Sequence, residues 1–131
     1  MILLDTHVLV WWLSDPEKLS LKVRKLLNSA QNEGEIAISA ISIWEIALLV
    51  KKKRLELTID AAIWIEKAIA LPFLKIIPID HHIAFKSVYL PEPFHEDPAD
   101  RLIVATAMMQ NLMLITRDSR IRAYGVVKTN W

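Results

Sequence analysis

The sequence predicts one α/β domain with a mainly parallel sheet covered by helices on both faces. Short apolar runs alternate with amphipathic segments along the whole chain, no repeat or Ser/Gly-rich linker divides the 131 residues, and hydrophobic residues make up 53% of them. Strands regularly separated by helices require βαβ crossovers, which pair strands in parallel. A chain of this length buries about two-thirds of its unfolded surface in a single core, so residues 1–131 are read as one domain.

Ile2-Leu3-Leu4 is a short buried strand ending at Asp5-Thr6, after which Val8, Trp11 and Trp12 fall at helical spacing. Asp15-Pro16 interrupts the chain. Leu19, Val23, Leu26, Leu27 and Ala30 then form one face of an amphipathic helix that ends near Gly34. Ile36-Ala37-Ile38 is the second strand. Ser42 opens a helix through Leu49 or Val50, and Asp60 opens another that Pro72 closes. Lys75 to Ile79 reads as an edge strand, because Pro78 cannot donate to a central ladder. Asp80 caps a helix through Tyr89, Pro91 and Pro93 mark a surface loop, and Asp97-Pro98 starts a helix running to about Gln110. Leu112 to Ile115 is a buried strand ending at Thr116-Arg117-Asp118. A helical turn and a last strand, Gly125 to Lys128, complete the pattern.

Composition removes several functions. With two glycines and no cysteine, the chain cannot build a P-loop, a GxGxxG cradle, a thiolate zinc site or a disulfide scaffold. Sixteen basic residues against fifteen acidic ones give a charge of +1, so any nucleic-acid contact must be local rather than driven by a global basic field. A mean hydropathy of +0.30 leaves apolar surface for a partner, and oligomerisation or a tight protein complex is expected. Met1 to Leu13 carries Asp5 and His7 and lacks a basic leader, and Ile36 to Val50 is too short to span a bilayer. A cytoplasmic protein without a membrane partner is expected.

In an open parallel sheet the carboxyl ends of the strands share one edge, where such folds place their sites. Asp5 follows the first strand, Glu45 lies in the first turn after the second, Asp97 and Asp100 open a helix, and Asp118 follows the strand Met113 to Ile115. Clustered carboxylates repel one another, and a bound divalent cation resolves the conflict. Oxygen-only ligands favour Mg²⁺ or Mn²⁺, which orient water, lower its pKa and neutralise charge in phosphodiester hydrolysis. Each acid also has a structural reading. Ser42 to Glu45 fits a capping box, and Asp5, Asp97 and Asp118 fit helix N-caps.

On these residues the chain resembles the PIN domains, specifically the VapC-like ribonuclease toxins of type II toxin–antitoxin systems. The matching segments are I-L-L-D-T at Ile2 to Thr6, S-A-I-S-I-W-E-I-A at Ser39 to Ala47, H-E-D-P-A-D-R-L-I-V-A-T-A at His95 to Ala107, and L-I-T-R-D at Leu114 to Asp118. Four such segments in order, over essentially the whole length, are specific. The resemblance implies a three-layer α/β/α sandwich with a short parallel sheet, Mg²⁺- or Mn²⁺-dependent endoribonuclease activity, a homodimer and a cognate antitoxin. It places Asp5, Glu45, Asp100 and Asp118 on the acidic quartet, with Asp5, Asp100 and Asp118 as direct metal ligands and Glu45 completing the site. Thr116 falls on the hydroxyl that holds the acids, and Thr6, Asp97 and Arg101 are supporting residues. Lys53 departs from the pattern, standing where relatives often have glycine before Arg-Leu.

Arg101 and Arg117 adjoin these positions and either stabilise transition-state charge or pair with the carboxylates. Lys51 to Arg54 either grips phosphate or caps a helix end in solvent. His81 and His82 are read as structural, His7 and His95 stay open, and Trp11, Trp12, Trp44 and Trp64 are read as core or interface rather than as base-stacking platforms. Two rivals to the nuclease remain. A catalytically silent interaction module keeps the fold without turnover. A phospho-accepting receiver wants an acidic neighbour to Asp5 and a lysine after the strand Leu112 to Ile115, and neither is present.

Overall fold

A computed structural model describes residues 1–131. Five parallel strands, β1 (Ile2–Leu4), β2 (Ile36–Ser39), β3 (Leu74–Ile77), β4 (Met113–Ile115) and β5 (Thr129–Asn130), lie in the order β3-β2-β1-β4-β5. The chain therefore builds outward from β1 to one side and then returns to build the other. Helices α1 (Thr6–Ser14), α2 (Leu21–Glu33), α3 (Ala40–Lys51), α4 (Ala61–Ile69), α5 (His81–Val88), α6 (Pro98–Gln110) and α7 (Ser119–Tyr124) supply the crossovers and the last turn.

Alternation along the strands divides the core into two. Ile2, Leu4, Ile36, Ile38 and Ile115 point to one face, where they pack with Val8, Leu9, Val23, Leu27, Ile46 and Trp64. Leu3, Ala37 and Leu114 point to the other, against Ile83, Ile103, Val104, Ala107 and Ile121. Side chains that alternate between faces account for a three-layer α/β/α sandwich. Each fully buried Leu or Ile contributes about 2 kcal/mol through its removal from water.

Three boundaries differ from the sequence reading. Helix α3 begins at Ala40, directly off β2, and its N-cap is Ser39, whose Oγ accepts from the Ile41 N–H at 3.2 Å. Ser42 is thus inside the helix, and Glu45 lies in its second turn, too far from the cap to form the capping box. The last strand is Thr129–Asn130 rather than Gly125 to Lys128, since Gly125 ends α7 in a left-handed conformation and Val126-Val127 form a bend. Strand β3 is at the sheet edge as expected, but it runs Leu74–Ile77 rather than Lys75 to Ile79, so Pro78, which cannot donate to the ladder, ends the strand instead of lying in it. Lys53, at φ +58°, takes the left-handed conformation that glycine adopts without strain after a helix, so its departure from the family pattern falls on a strained backbone position.

Candidate active site

The edge where the chain reverses its building direction lies between β1 and β4, and open α/β sheets form their crevices at such a switch point. A cleft of about 440 Å³ opens there, lined by Asp5, His7, Val8, Trp11, Glu45, Asp97, Asp100, Arg117, Asp118 and Arg120. All four acids of the expected quartet, and Asp97, thus come together from four separate segments. Asp5 leaves β1 with its N–H bonded to the Ile115 carbonyl at 2.9 Å, which extends the central ladder by one residue and sets Asp5 beside Thr116.

Thr116 has the bridging role expected of it. Its Oγ1 donates to Asp5 Oδ2 at 2.7 Å and accepts from the Asp118 N–H at 3.0 Å, so one buried hydroxyl ties two acids in register. The Thr6 and Ser42 hydroxyls bond to each other at 2.9 Å and fasten the start of α1 to α3, the helix that carries Glu45. Asp97 caps α6 by accepting from the Asp100 N–H at 3.0 Å, while Asp100 Oδ2 sits 2.7 Å from His95 Nε2. Asp118 caps α7 through Oδ1, which accepts from the N–H groups of Arg120 and Ile121 at 2.8 and 3.2 Å. Asp5, Asp97 and Asp118 each cap a helix and each line the cleft, so the capping reading does not remove them from it.

The electrostatics show the strain of this arrangement. Burial raises the Asp5 carboxyl above its ordinary value, against hydrogen bonds from Thr116 and Thr6 that pull it down. Burial likewise raises Glu45; Thr6 opposes this, and Asp5 and Asp97 add to the rise. Asp100 is pushed up to about 6 by burial, with Asp5, Asp97 and Asp118 adding repulsion against the bond from His95. For Asp118 burial also pushes upward, but Arg120 and the two cap N–H groups outweigh it and the net direction is down. Glu45 Oε1 is buried without a hydrogen-bond partner. A buried, unpaired carboxylate oxygen is costly and marks a missing partner.

The donor set fits a hard divalent cation: carboxylate oxygens from four segments, one of them orphaned, with mutual repulsion that a cation would relieve. As they stand, no three acids or histidines close tightly enough to form a ready-made cage. Asp5 and Asp100 are instead held by Thr116 and His95.

Arg101 differs from its expected role. Its guanidinium donates to the carbonyls of Ser87, Val88, Phe94 and His95 at 2.7 to 3.2 Å, pinning the Pro-rich loop to the end of α5, and it does not line the cleft. The planar fork of five donors suits a cluster of backbone carbonyls better than a point charge would. Arg117 does line the cleft, standing 5.8 Å over the Trp11 ring. Arg120 was not singled out by sequence; its Nη2 lies 3.2 Å from Asp118 Oδ2 and 3.6 Å from Asp100 Oδ2. Its spacing two residues after Asp118, in the first turn of a helix, was the available signal. Lys51 to Arg54 are exposed at the end of α3, away from the cleft lining.

Comparison with known proteins agrees with this geometry. The PIN domain family model matches residues 2–127. Ribonuclease VapC22 of Mycobacterium tuberculosis is 36% identical over 123 residues, covering 94% of this chain and 91% of that protein. A toxin–antitoxin complex from Klebsiella pneumoniae superposes with a TM-score of 0.67 at 27% identity, over 100% of this chain and 97% of the other. FitAcB from Neisseria gonorrhoeae gives a TM-score of 0.70 at 26% identity, over 98% and 96% of the two chains. VapBC2 from Rickettsia felis, bound to a promoter DNA fragment, shares the fold with a TM-score of 0.74 at 19% identity, over 99% and 98%.

Proposed function

The chain belongs to the PIN-domain family, and from that premise we propose that it is a metal-dependent endoribonuclease, the toxin of a toxin–antitoxin pair. The observation that carries the reading is the convergence of Asp5, Glu45, Asp100 and Asp118 on one cleft with a buried carboxylate oxygen left unpartnered. Asp5, Asp100 and Asp118 would hold Mg²⁺ or Mn²⁺, and Glu45 would complete the set. The bound ion supplies charge neutralisation at the phosphodiester and a lowered pKa for water.

The chain's own residues do the positioning. Thr116 fixes Asp5 and Asp118 relative to one another, so two acids that follow different strands keep one spacing without rearrangement at the moment of reaction. His95 orients Asp100 through its Oδ2, and Thr6 with Ser42 holds the helix of Glu45 against α1. Asp97 acts as a supporting acid by fixing the first turn of α6, on which Asp100 sits. Burial raises Asp5, Glu45 and Asp100 above ordinary carboxylates, so a cation beside them would favour their ionised forms.

Partners follow the same premise. RNA is the substrate. An antitoxin is the neutralising partner, as in the toxin–antitoxin complex whose chain this one matches end to end. A homodimer fits the large apolar side chains left exposed, Trp44, Ile63, Phe85, Val88 and Tyr89 among them. No helix is long and apolar enough to cross a membrane.

The test is RNA cleavage by the purified chain in Mg²⁺ or Mn²⁺ and in EDTA. Cleavage with either ion and none in EDTA is expected. Cleavage that persists in EDTA would remove the metal, and none under any condition would favour the interaction module.

A further inference from the structure

The cleft contains a cation that the reading above does not use. Arg120 projects from the first turn of α7, and its side chain is 60% exposed, yet its Nη2 lies within reach of Asp118 Oδ2 and Asp100 Oδ2 at 3.2 and 3.6 Å. One guanidinium nitrogen thus bridges acids from two different segments. Asp118 Oδ1 is already committed to capping α7, so Oδ2 is the oxygen left for a ligand, and Arg120 holds it. On Asp100, Oδ2 is shared between His95 and Arg120. The guanidinium end of both pairs stands in solvent and its order costs side-chain freedom, so the arginine can leave while the less exposed carboxylates stay in place. Arg117 makes a useful contrast, because it lines the same cleft but stands over the Trp11 ring.

Resting on the reading that Asp100 and Asp118 are ligands of a divalent ion, we infer that Arg120 is the removable counter-ion of that pair and, once displaced, a contact for RNA phosphate. Its guanidinium neutralises the two carboxylates in the ion-free protein, gives up their Oδ2 atoms when the ion binds, and turns to the phosphate entering the cleft. Arginine suits both tasks, being permanently charged, weakly hydrated and matched in shape to carboxylate and phosphate alike. Competition between Arg120 and the ion is reciprocal, so removing the arginine tightens the ion's hold.

Calorimetric titration of Mn²⁺ into wild type, Arg120→Gln and Arg117→Gln tests this without relying on activity. Arg120→Gln should bind Mn²⁺ about three- to tenfold more tightly, the size of one or two exposed ion pairs released. Arg117→Gln, acting only through the screened field of the cleft, should change affinity by less than about twofold. In steady-state RNA cleavage Arg120→Gln should raise KM by a larger factor than it lowers kcat, with Arg120→Lys recovering part of the loss. Unchanged or weaker Mn²⁺ binding by Arg120→Gln, or equal tightening in Arg117→Gln, would overturn the counter-ion role. An unchanged KM would overturn the phosphate contact. Failure of the wild type to bind Mn²⁺ would instead remove the metal reading, and this inference with it.

Discussion

Aspartates cap helices both at the edge of the sheet and beside its central strands, yet they do different things. Asp60 and Asp80 accept from Ala62 N–H at 3.1 Å and Ile83 N–H at 2.8 Å, stand exposed, and serve only the starts of α4 and α5. Asp5 and Asp118 make the same kind of cap, but they follow the central strands β1 and β4 and share the Thr116 hydroxyl. Asp80 follows the edge strand β3, where no neighbour meets it. Capping is therefore no argument against a catalytic role. Among caps that follow strands, position in the sheet order decides which also lines a site, because next to the β1–β4 switch point several strand ends face one crevice.

Asparagine is as good an N-cap as aspartate, so Asp5→Asn and Asp80→Asn both keep their helices. Asp5→Asn should reduce RNA cleavage by about 10²- to 10³-fold, the cost of losing one preorganised electrostatic group. Asp80→Asn should leave the rate essentially unchanged, and equal losses in the two variants would show that the sheet order does not matter. A smaller effect is expected from Thr116→Val, which keeps the volume and removes the bridge. Cleavage should fall about tenfold and stability by about 1–2 kcal/mol, since the Asp118 N–H loses its acceptor; a rate equal to wild type would deny the hydroxyl its organising role.

The smallest effect sharpens the comparison through pH. Asp100 keeps its proton to about 6 in the fold but ordinarily only to 3.8. Between those values the folded chain binds more protons than the unfolded one, so the ion-free protein loses stability as pH rises through that window. Asp118, shifted down, acts in the opposite sense and only in acid, where its contribution is lost as pH falls below 3.8. Raising pH from about 4 to 7 without metal should lower the melting midpoint by about 3–5 °C. Asp100→Asn should reduce that slope and leave the part due to Asp5 and Glu45, which burial also raises; a slope unchanged in the variant would place the strain on those two acids instead.

Much of this was legible before the fold was known, for identifiable reasons. The strands β1, β2 and β4 are uninterrupted apolar runs, and the caps Asp60, Asp80 and Asp97 stand beside strong stop or start signals, so their placement needed only local chemistry. The start of α3 was misplaced because Ser39 and Ser42 are both plausible caps, and the choice depends on Thr6, 36 residues away, engaging the second of them. Val126-Val127 has strand composition, but the ladder pairs Leu114 with Thr129, a register that local propensity does not encode. Asp5 and Asp118 were readable as acids that follow strands, whereas Glu45 and Asp100 lie inside helices and joined them as a set only through the family resemblance. Arg101 and Arg120 were not separable from sequence, because each partner set lies across the fold: loop carbonyls for the first, carboxylates for the second.

On the proposed function, the acids of the β1–β4 crevice are held together at an electrostatic cost for the sake of a cation. Thermal melts of the isolated protein with and without Mn²⁺, for wild type and Asp100→Asn, test it most directly. A ligand bound only by the native state raises the melting midpoint. Mn²⁺ should raise the wild-type midpoint and leave Asp100→Asn unmoved, and the ion-free variant should melt no lower than ion-free wild type at neutral pH. Equal midpoints for wild type with and without Mn²⁺, together with an ion-free Asp100→Asn that is simply less stable, would contradict the claim and leave these acids as caps.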